Sequence, residues 1–209
     1  QLNCNSNHLT SLDLSNNPVL ELLQCEYNDL ETLDLSGNPA LTALLCSYNE
    51  IILLDISGCN QLEFQYCGYN KLSVLDVSDK PLLKILVCER NQIASLDLNA
   101  ATSLQQLLCS VNQLESLDIS NCDDLRRLEC SENLLTNLDI SGNTELWQLY
   151  CGYNQLTSLD LTNNSKIYQL AIDHMPSLTK VCVWALPFPP ISVYADGSPN
   201  FYFTTDCSK

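Results

Sequence analysis

The sequence is short of positive charge. Its 209 residues include 9 lysines and arginines against 25 aspartates and glutamates, which gives a formal charge of −16. Nucleic acids and anionic membrane surfaces are bound through clustered cations, so the composition argues against both as partners. The excess of acid favours basic or neutral partners and keeps the chain soluble.

Long apolar runs and catalytic motifs are missing as well. No run approaches the roughly 20 residues of a membrane-spanning helix, so we expect no membrane insertion. Histidine occurs only at His8 and His174, and neither lies in a Ser/His/Asp or Cys/His motif. The chain has no phosphate-binding glycine loop and no H-E-x-x-H sequence. We therefore expect a protein that is not an enzyme and that uses no cofactor and no metal.

What the sequence does have is periodicity, because cysteine, asparagine and aspartate each recur every 21 residues. The repeating unit reads L-x-x-L-x-C-x-x-N-x-L-x-x-L-D-[LIV]-S-x-N-x-x. The three columns are Cys4, Cys25, Cys46, Cys67, Cys88, Cys109, Cys130 and Cys151; Asn7, Asn28, Asn49, Asn70, Asn91, Asn112, Asn133 and Asn154; and Asp13, Asp34, Asp55, Asp76, Asp97, Asp118, Asp139 and Asp160.

The first half of this unit, as in Leu20-x-x-Leu23-x-Cys25-x-x-Asn28-x-Leu30, resembles the leucine-rich repeat consensus over about residues 1–170. The variant with L-x-C-x-x-N-x-L followed by L-D-[LIV]-S-x-N resembles repeats of surface and secreted proteins of Bacteroidetes-type bacteria. The closing "LTKVCVW" and "DCSK" resemble the C-terminal cap of such arrays. The resemblance implies binding or adhesion at the cell surface or outside the cell.

The residues support the same fold independently. Alternation in Leu23-x-Cys25 is typical of a short strand with alternate side chains facing inward, and one repeat is too small to bury that face alone. We predict an α/β-class leucine-rich repeat solenoid of horseshoe shape, with a parallel β-sheet on its concave face. So short a repeat leaves room for extended or 3₁₀ segments on the convex side, and for little or no α-helix. We expect the array to span 1–171 without an N-terminal cap and a C-terminal β cap to span 172–209.

The three columns are interpreted as framework. The cysteines share the inward parity of Leu23 and are expected to pack as free thiols, with disulfides or a metal as alternatives. The asparagines are expected to satisfy backbone groups where each strand ends. The aspartates lie between core aliphatics and point outward, bonded to local N–H groups or hydroxyls; collection of Ca²⁺ is the weaker alternative.

The periodicity fails near the end of the chain, where Ile172 replaces cysteine. "ISVYADGSPNFYF" predicts two strands around a DG-containing turn, which is a β-hairpin. The resemblance to a cap, whose end must be fastened, implies a Cys182–Cys207 disulfide and an oxidising compartment. Cys59 and Cys122 share another repeat column and are interpreted as replacements of a turn asparagine. The first strand is predicted to be an open edge, which more repeats or self-association would cover.

Function on a solenoid is expected where the repeats differ from one another. Three columns vary on or beside the predicted concave face, and their middle is apolar and aromatic. The predicted partner-binding residues are Leu45, Phe64, Tyr66, Ile85, Val87, Leu108, Tyr48, Tyr69, Trp147, Tyr150 and Tyr153. An exposed patch of this kind favours a partner, although tyrosines that only cover the strand ends are an alternative.

The leading hypothesis is a non-catalytic module that binds a protein through the concave face. One alternative is a carbohydrate-binding module that uses the tyrosines and Trp147, with Gly68 and Gly152 leaving open space beside the rings of the two "YCGYN" segments. Another alternative is a structural spacer in a larger adhesin.

Overall fold

The computed structural model of the chain describes residues 1–187 and 192–207. In this part of the chain every regular element is a short strand, and no helix is present that could cross a membrane. In chain order the strands are β1 (Leu2–Asn3), β2 (Leu22–Gln24), β3 (Thr32–Asp34), β4 (Ala43–Leu45), β5 (Leu53–Asp55), β6 (Phe64–Tyr66), β7 (Ile85–Val87), β8 (Gln106–Leu108), β9 (Arg127–Glu129), β10 (Gln148–Tyr150), β11 (Ser158–Asp160), β12 (Gln169–Ala171), β13 (Lys180–Cys182), β14 (Ser192–Tyr194) and β15 (Tyr202–Thr204).

The strands form one long parallel sheet and two short ones. The main sheet has the order β1-β2-β4-β6-β7-β8-β9-β10-β12-β14, and its neighbouring strands pair one repeat apart, as Leu23 does with Leu44. On the other side of some of the turns lie two short sheets, β3-β5 and β11-β13-β15. The predicted solenoid with a parallel sheet and no helical side is confirmed. We call the solvent-facing surface of the main sheet the main-sheet face.

The core lies between the two sides of the turns, where the inward leucines and cysteines of the main sheet meet the aliphatics of the return segment. In the second repeat these are Leu23, Cys25, Leu30, Leu33 and Leu35, all fully or almost fully buried. Full burial of one leucine stabilises the fold by roughly 1.5–3 kcal/mol, and most turns repeat a similar set of buried aliphatic residues.

The cysteines of the main column are free thiols packed inside the solenoid, as the sequence predicts. Burial raises the pKa of Cys25, Cys67, Cys109 and Cys151 to about 12. A thiol with so high a pKa carries almost no thiolate at neutral pH, and the thiolate is the species that attacks disulfides and binds metals. The buried thiols of the column, which are all of its members except the partly exposed Cys4, are therefore expected to be unreactive while the fold is intact.

Unreduced protein is expected to titrate ten thiols with Ellman's reagent after denaturation, because ten of its cysteines are free. In the native protein we expect fast reaction at Cys4 alone, since it is partly exposed and the other nine free cysteines are buried. A denatured count lower by two or more would show a further disulfide and contradict the packed column.

The asparagine column satisfies the backbone at the end of each strand, as the sequence predicts. Asn49 donates from Nδ2 to the carbonyls of Cys25, Cys46 and Ser47 at 2.9–3.3 Å, and its Oδ1 accepts from the N–H of Leu30 at 3.1 Å. One side chain thus links two successive turns.

The aspartate column is exposed and bonds to its own loop. Asp34 Oδ1 accepts from the N–H of Ser36 at 2.9 Å and from the Ser36 hydroxyl at 2.7 Å. These bonds hold the pKa of the Asp34 carboxyl below its ordinary value, so it stays ionised. In residues 1–187 and 192–207, no three carboxylates of this column bring their oxygens within 4.8 Å of one another. The bonding explains the column without a cation.

A second column of buried asparagines lies at the turn on the opposite side. Asn38 donates to the carbonyls of Leu14 and Asn17, and Asn143 and Asn164 make the equivalent bonds in later turns. Cys59 occupies this position and donates from Sγ to the carbonyl of Leu35 at 3.3 Å. The interpretation of Cys59 as a substitute for a turn asparagine fits this geometry.

The predicted hairpin near the C-terminus is wrong. β14 pairs in parallel with β12, β15 pairs in parallel with β13, and the two strands belong to different sheets. The segment is therefore one more turn of the solenoid. Its two strands pair with the backbone groups of β12 and β13, which would otherwise be open sheet edges. Residue 191, at the start of the predicted hairpin, lies outside the described residues.

The last turn is fastened in two ways. The predicted disulfide between Cys182 and Cys207 is present, with Cα atoms 5.8 Å apart. Met175 replaces the column asparagine, and the hydroxyl of Ser198 takes over its role: it accepts from the N–H of Met175 and donates to the carbonyl of Ile172, both at 2.7 Å.

Candidate recognition surface

Six residues of the predicted binding set lie side by side on the main-sheet face. Strand pairing places Leu45, Tyr66, Val87 and Leu108 in one row and Phe64 beside Ile85 in the other. We call these six residues the apolar strip. Each is partly exposed, since its neighbours at about 4.8 Å on either side cover much of it. The strip is therefore continuous across four adjacent strands, β4, β6, β7 and β8.

The same face becomes polar towards the C-terminus. Arg127 donates from Nε to Oε1 of Glu129 at 2.8 Å, and the hydroxyl of Tyr150 donates to Gln169 at 3.0 Å. Partial burial raises the pKa of the Glu89 carboxyl, and the charge of Glu129 raises it further. The face is thus divided into an apolar half and a polar half with a fixed ion pair.

The tyrosines that precede the column asparagines stack along the edge where the main-sheet strands end. The rings of Tyr27 and Tyr48 are 4.4 Å apart, those of Tyr48 and Tyr69 are 4.1 Å apart, and the Arg90 guanidinium lies 5.2 Å from the Tyr69 ring. Tyr48 and Tyr69, predicted to be on the concave face, lie at its border. Their partial exposure leaves both partner binding and coverage of the strand ends open.

This edge column has an unusual backbone that the sequence analysis missed. All nine of its residues have a positive φ of 51–57°, among them Tyr27, Tyr48, Tyr69 and Tyr153. Glycine, asparagine and aspartate are the residues that normally adopt this conformation, and a bulky residue there costs about 1–2 kcal/mol. Ring stacking between turns offsets part of that cost, since an aromatic pair contributes about 0.5–1.5 kcal/mol.

Trp147, Tyr150 and Tyr153, predicted to cluster, contact three different neighbours. Trp147 precedes strand β10 and packs on Tyr168 with ring centroids 5.5 Å apart. Tyr150 bonds to Gln169, and Tyr153 lies beyond the strand and stacks on His174 at 4.2 Å. Among the ring contacts of the described residues, none joins two of these three side chains.

The open space expected beside Gly68 and Gly152 is not there. A Cβ on Gly68 would lie 3.2 Å from the side chain and backbone of Glu89, and one on Gly152 would lie 2.4 Å from Oδ1 of Asp173. The next turn fills both positions, so these glycines permit close stacking of turns. They do not form a platform for a sugar.

Tyr168 and Arg126 are exposed neighbours of Trp147 that the sequence analysis did not single out. Both belong to the column of Trp147, one repeat after it and one repeat before it. Comparison of that column across all turns would have found them, because it is the position directly before each main-sheet strand.

Comparison with known proteins was made with this geometry in hand. A family profile described as Leucine Rich Repeat matches residues 8–27. The functional domain of InlJ from Listeria monocytogenes, which includes a cysteine ladder, superposes with a TM-score of 0.85 and 32% identity, covering 96% of this chain and 49% of that one. This chain is a leucine-rich repeat protein. No curated protein matches its sequence.

Two further solved structures share the fold with this leucine-rich repeat protein. The leucine-rich effector YopM from Yersinia pestis has a TM-score of 0.74 and 26% identity, covering 90% of this chain and 57% of that one. The protein LIC12759 from Leptospira interrogans has a TM-score of 0.78 and 20% identity, covering 98% of this chain and 55% of that one. The chain thus spans about half the length of these three solved structures. The resemblance to Bacteroidetes-type repeats stays a prediction.

Proposed function

We propose that this leucine-rich repeat protein is a non-catalytic recognition module that binds a protein partner through the apolar strip. The observation that carries the proposal is the register of the strip. The framework leucines and cysteines point inward, and the six residues that vary towards apolar and aromatic types meet on the solvent side of adjacent strands. A continuous apolar patch on a protein of charge −16 is a feature that a binding partner would explain.

The surroundings of the strip fit a protein interface. Tyr66 and Phe64 lie near its centre, and aromatic residues at the centre of an interface supply most of its binding energy. Arg127 with Glu129, and the stacked Tyr48 and Tyr69, form a polar border of the kind that surrounds such centres. Strands hold Phe64, Tyr66, Arg127 and Glu129, so little conformational entropy is lost at these side chains when a partner binds.

The test is the double variant Phe64→Ala with Tyr66→Ala. Binding of a partner captured by the wild-type protein is expected to weaken about tenfold or more, because each truncation removes an aromatic anchor. The matched control is Leu53→Ala with Val74→Ala, which removes apolar side chains that are 63% and 72% exposed on the opposite side of the turns. Affinity is measured by surface plasmon resonance, and folding is checked by thermal unfolding. Equal affinities of the wild-type and strip variants, or an equal loss in the control, would contradict the proposal.

A surface or extracellular location is part of the same proposal. The Cys182–Cys207 disulfide supports it, because structural disulfides persist in oxidising compartments. Nine of the ten free cysteines are buried, which keeps them from exchanging with that disulfide under such conditions. Self-association through β1, which pairs with β2 at one edge of the main sheet, stays a prediction.

A further inference from the structure

A recess of about 320 Å³ lies at the amino-terminal ends of the main-sheet strands and is lined by Arg126, Glu145, Trp147 and Lys166. Backbone bonds fix its shape: the N–H of Trp147 donates to the carbonyl of Arg126 at 2.9 Å, and the N–H of Tyr168 donates to the carbonyl of Trp147 at 3.0 Å. Arg126, Trp147 and Tyr168 therefore stand directly above one another in three successive turns. We call this the amino-edge recess.

The Trp147 ring forms one wall of the amino-edge recess, and the Tyr168 ring packs against it. Trp147 is 41% exposed and Tyr168 is 43% exposed, and their ring planes meet at 59°. The other tryptophan, Trp184, packs against the core. The face of an indole ring is electron-rich and attracts groups with positive partial charge. The C–H bonds on one face of a sugar ring are such groups, and they also form a flat apolar surface that can lie on the ring.

The other wall carries positive charge, which is scarce in this chain. Arg126 is exposed, and within residues 1–187 and 192–207 its guanidinium has no ion pair. Lys166 forms an ion pair with Glu145. The recess thus gathers two of the 9 cations of a chain with a charge of −16 and has a local charge of +1. An unpaired guanidinium is a good partner for a carboxylate, which it can bind through two parallel hydrogen bonds.

We propose that the amino-edge recess binds a pyranose ring that bears a carboxylate, as uronic acids and sialic acids do. The ring would stack on Trp147 and the carboxylate would pair with Arg126. The volume is at the small end of the range for ligand sites, about 300–1,000 Å³, and suits one such residue of a glycan better than a protein surface.

The recess is independent of the apolar strip. It is built on the turns before strands β9, β10 and β12, whereas the strip occupies β4, β6, β7 and β8. The earlier members of its central column carry no aromatic ring; they are Glu21, Thr42, Glu63, Lys84 and Gln105. Lys84 in this column pairs with Glu63. Lys84→Ala is therefore the matched control. It removes one positive charge, as Arg126→Ala does, but at a turn that lacks Trp147.

The test is isothermal titration of the full chain with two acidic probes and their neutral counterparts. The probes are a tetrasaccharide of alternating glucuronic acid and N-acetylglucosamine, with chitotetraose as counterpart, and 3′-sialyllactose, with lactose as counterpart. At least one acid is expected to bind more tightly than its counterpart, and the tighter acid identifies the class of sugar. Arg126→Ala and Trp147→Ala are each expected to weaken binding about tenfold, while Lys84→Ala leaves it unchanged.

Three results would overturn the proposal. They are no binding of either acid at millimolar concentration, equal binding of acids and neutral counterparts, and equal loss in Arg126→Ala and Lys84→Ala, which would mean unspecific attraction. Thermal unfolding of each variant confirms that the fold is retained. The strip variant Phe64→Ala with Tyr66→Ala is expected to bind the sugar as the wild-type protein does, which separates this site from the proposed protein interface.

Discussion

Asn70→Ala is expected to lower the free energy of unfolding by about 2–4 kcal/mol, because it leaves a buried backbone group without a partner and breaks the link between two turns. Asn70 Oδ1 accepts from the N–H of Ile51 at 3.0 Å, and no other bond to that N–H is present in the described residues. Its Nδ2 donates to the carbonyls of Cys46, Cys67 and Gly68 at 3.0–3.2 Å. These carbonyls keep other donors: Asn49, Asn91 and the N–H of Tyr48. The orphaned N–H therefore makes the largest contribution to the loss.

Asn7→Ala is the matched control, since it removes the same amide at the exposed end of the same column. Asn7 donates to the carbonyls of Cys4 and Asn5 at 3.0 Å, both in its own turn. Its loss is expected to cost less than about 1 kcal/mol. Urea unfolding followed by circular dichroism gives both values. Equal losses at the two positions would mean that the bonds between turns contribute nothing.

Asn70→Asp separates the two functions of the amide. The carboxylate keeps an acceptor for the N–H of Ile51 but presents an oxygen to the carbonyls that Nδ2 now serves. At neutral pH this variant is expected to be at least as unstable as Asn70→Ala, because it also buries a charge. Stability close to that of the wild-type protein would contradict the role of the Nδ2 bonds.

The framework could be predicted because it is repeated. Cys25, Asn28 and Asp34 recur at one spacing. Cys25 is two residues after the inward-facing Leu23, and alternate side chains of a strand face the same side, so the cysteine side chain is inside. A side chain that has the same surroundings in every turn can be assigned once and applied throughout. The inward cysteines, the bonded asparagines and the outward aspartates follow from that argument.

The features that the sequence could not predict lie where a turn departs from the repeat consensus and contacts a turn that differs from it. Ser198 takes the role of an asparagine although the last turn pairs 23 residues after the one before it, and not 21. The sequences of β14 and β15 resemble a hairpin, and only their pairing with β12 and β13 shows that they do not form one. Lys80 is 1% exposed in the buried turn column of Asn38, although lysine is normally a surface residue. The positive φ of the edge tyrosines depends on the hydrogen bonds of adjacent turns, which side-chain preferences do not reveal.

The candidate binding residues were predictable as a set but not in their grouping. Column comparison identified Phe64 and Tyr66, and the strand register then placed both in one strip; Trp147 was predicted from its closeness in sequence to Tyr150 and Tyr153. Trp147 belongs with Tyr168, one repeat further on, because the position before a strand stacks on the same position of the next turn. The grouping required the path of the chain outside the strands.

Gln65→Leu is expected to raise the free energy of unfolding by about 2–4 kcal/mol, because it replaces a poorly bonded buried amide by the side chain that the column otherwise uses. Gln65 is fully buried in β6, between Leu44 and Leu86 of the adjacent strands. Its Nε2 reaches only the sulfur of Cys67 at 3.7 Å, and its Oε1 has no partner. Leucine occupies the same position in both adjacent strands, as Leu44 and Leu86, so the core is already shaped for it.

Two variants frame this prediction. Gln92→Leu makes the same change at an exposed position and is expected to alter stability by less than about 0.5 kcal/mol. Gln65→Ala removes the amide but leaves a cavity, so it is expected to be less stable than Gln65→Leu by about 2–5 kcal/mol. All three are measured by urea unfolding.

A loss of stability in Gln65→Leu would mean that the amide has a partner beyond Cys67. If instead stability rises while the partner affinity of the main-sheet face falls, the buried amide positions Phe64 and Tyr66 for binding at the expense of the core.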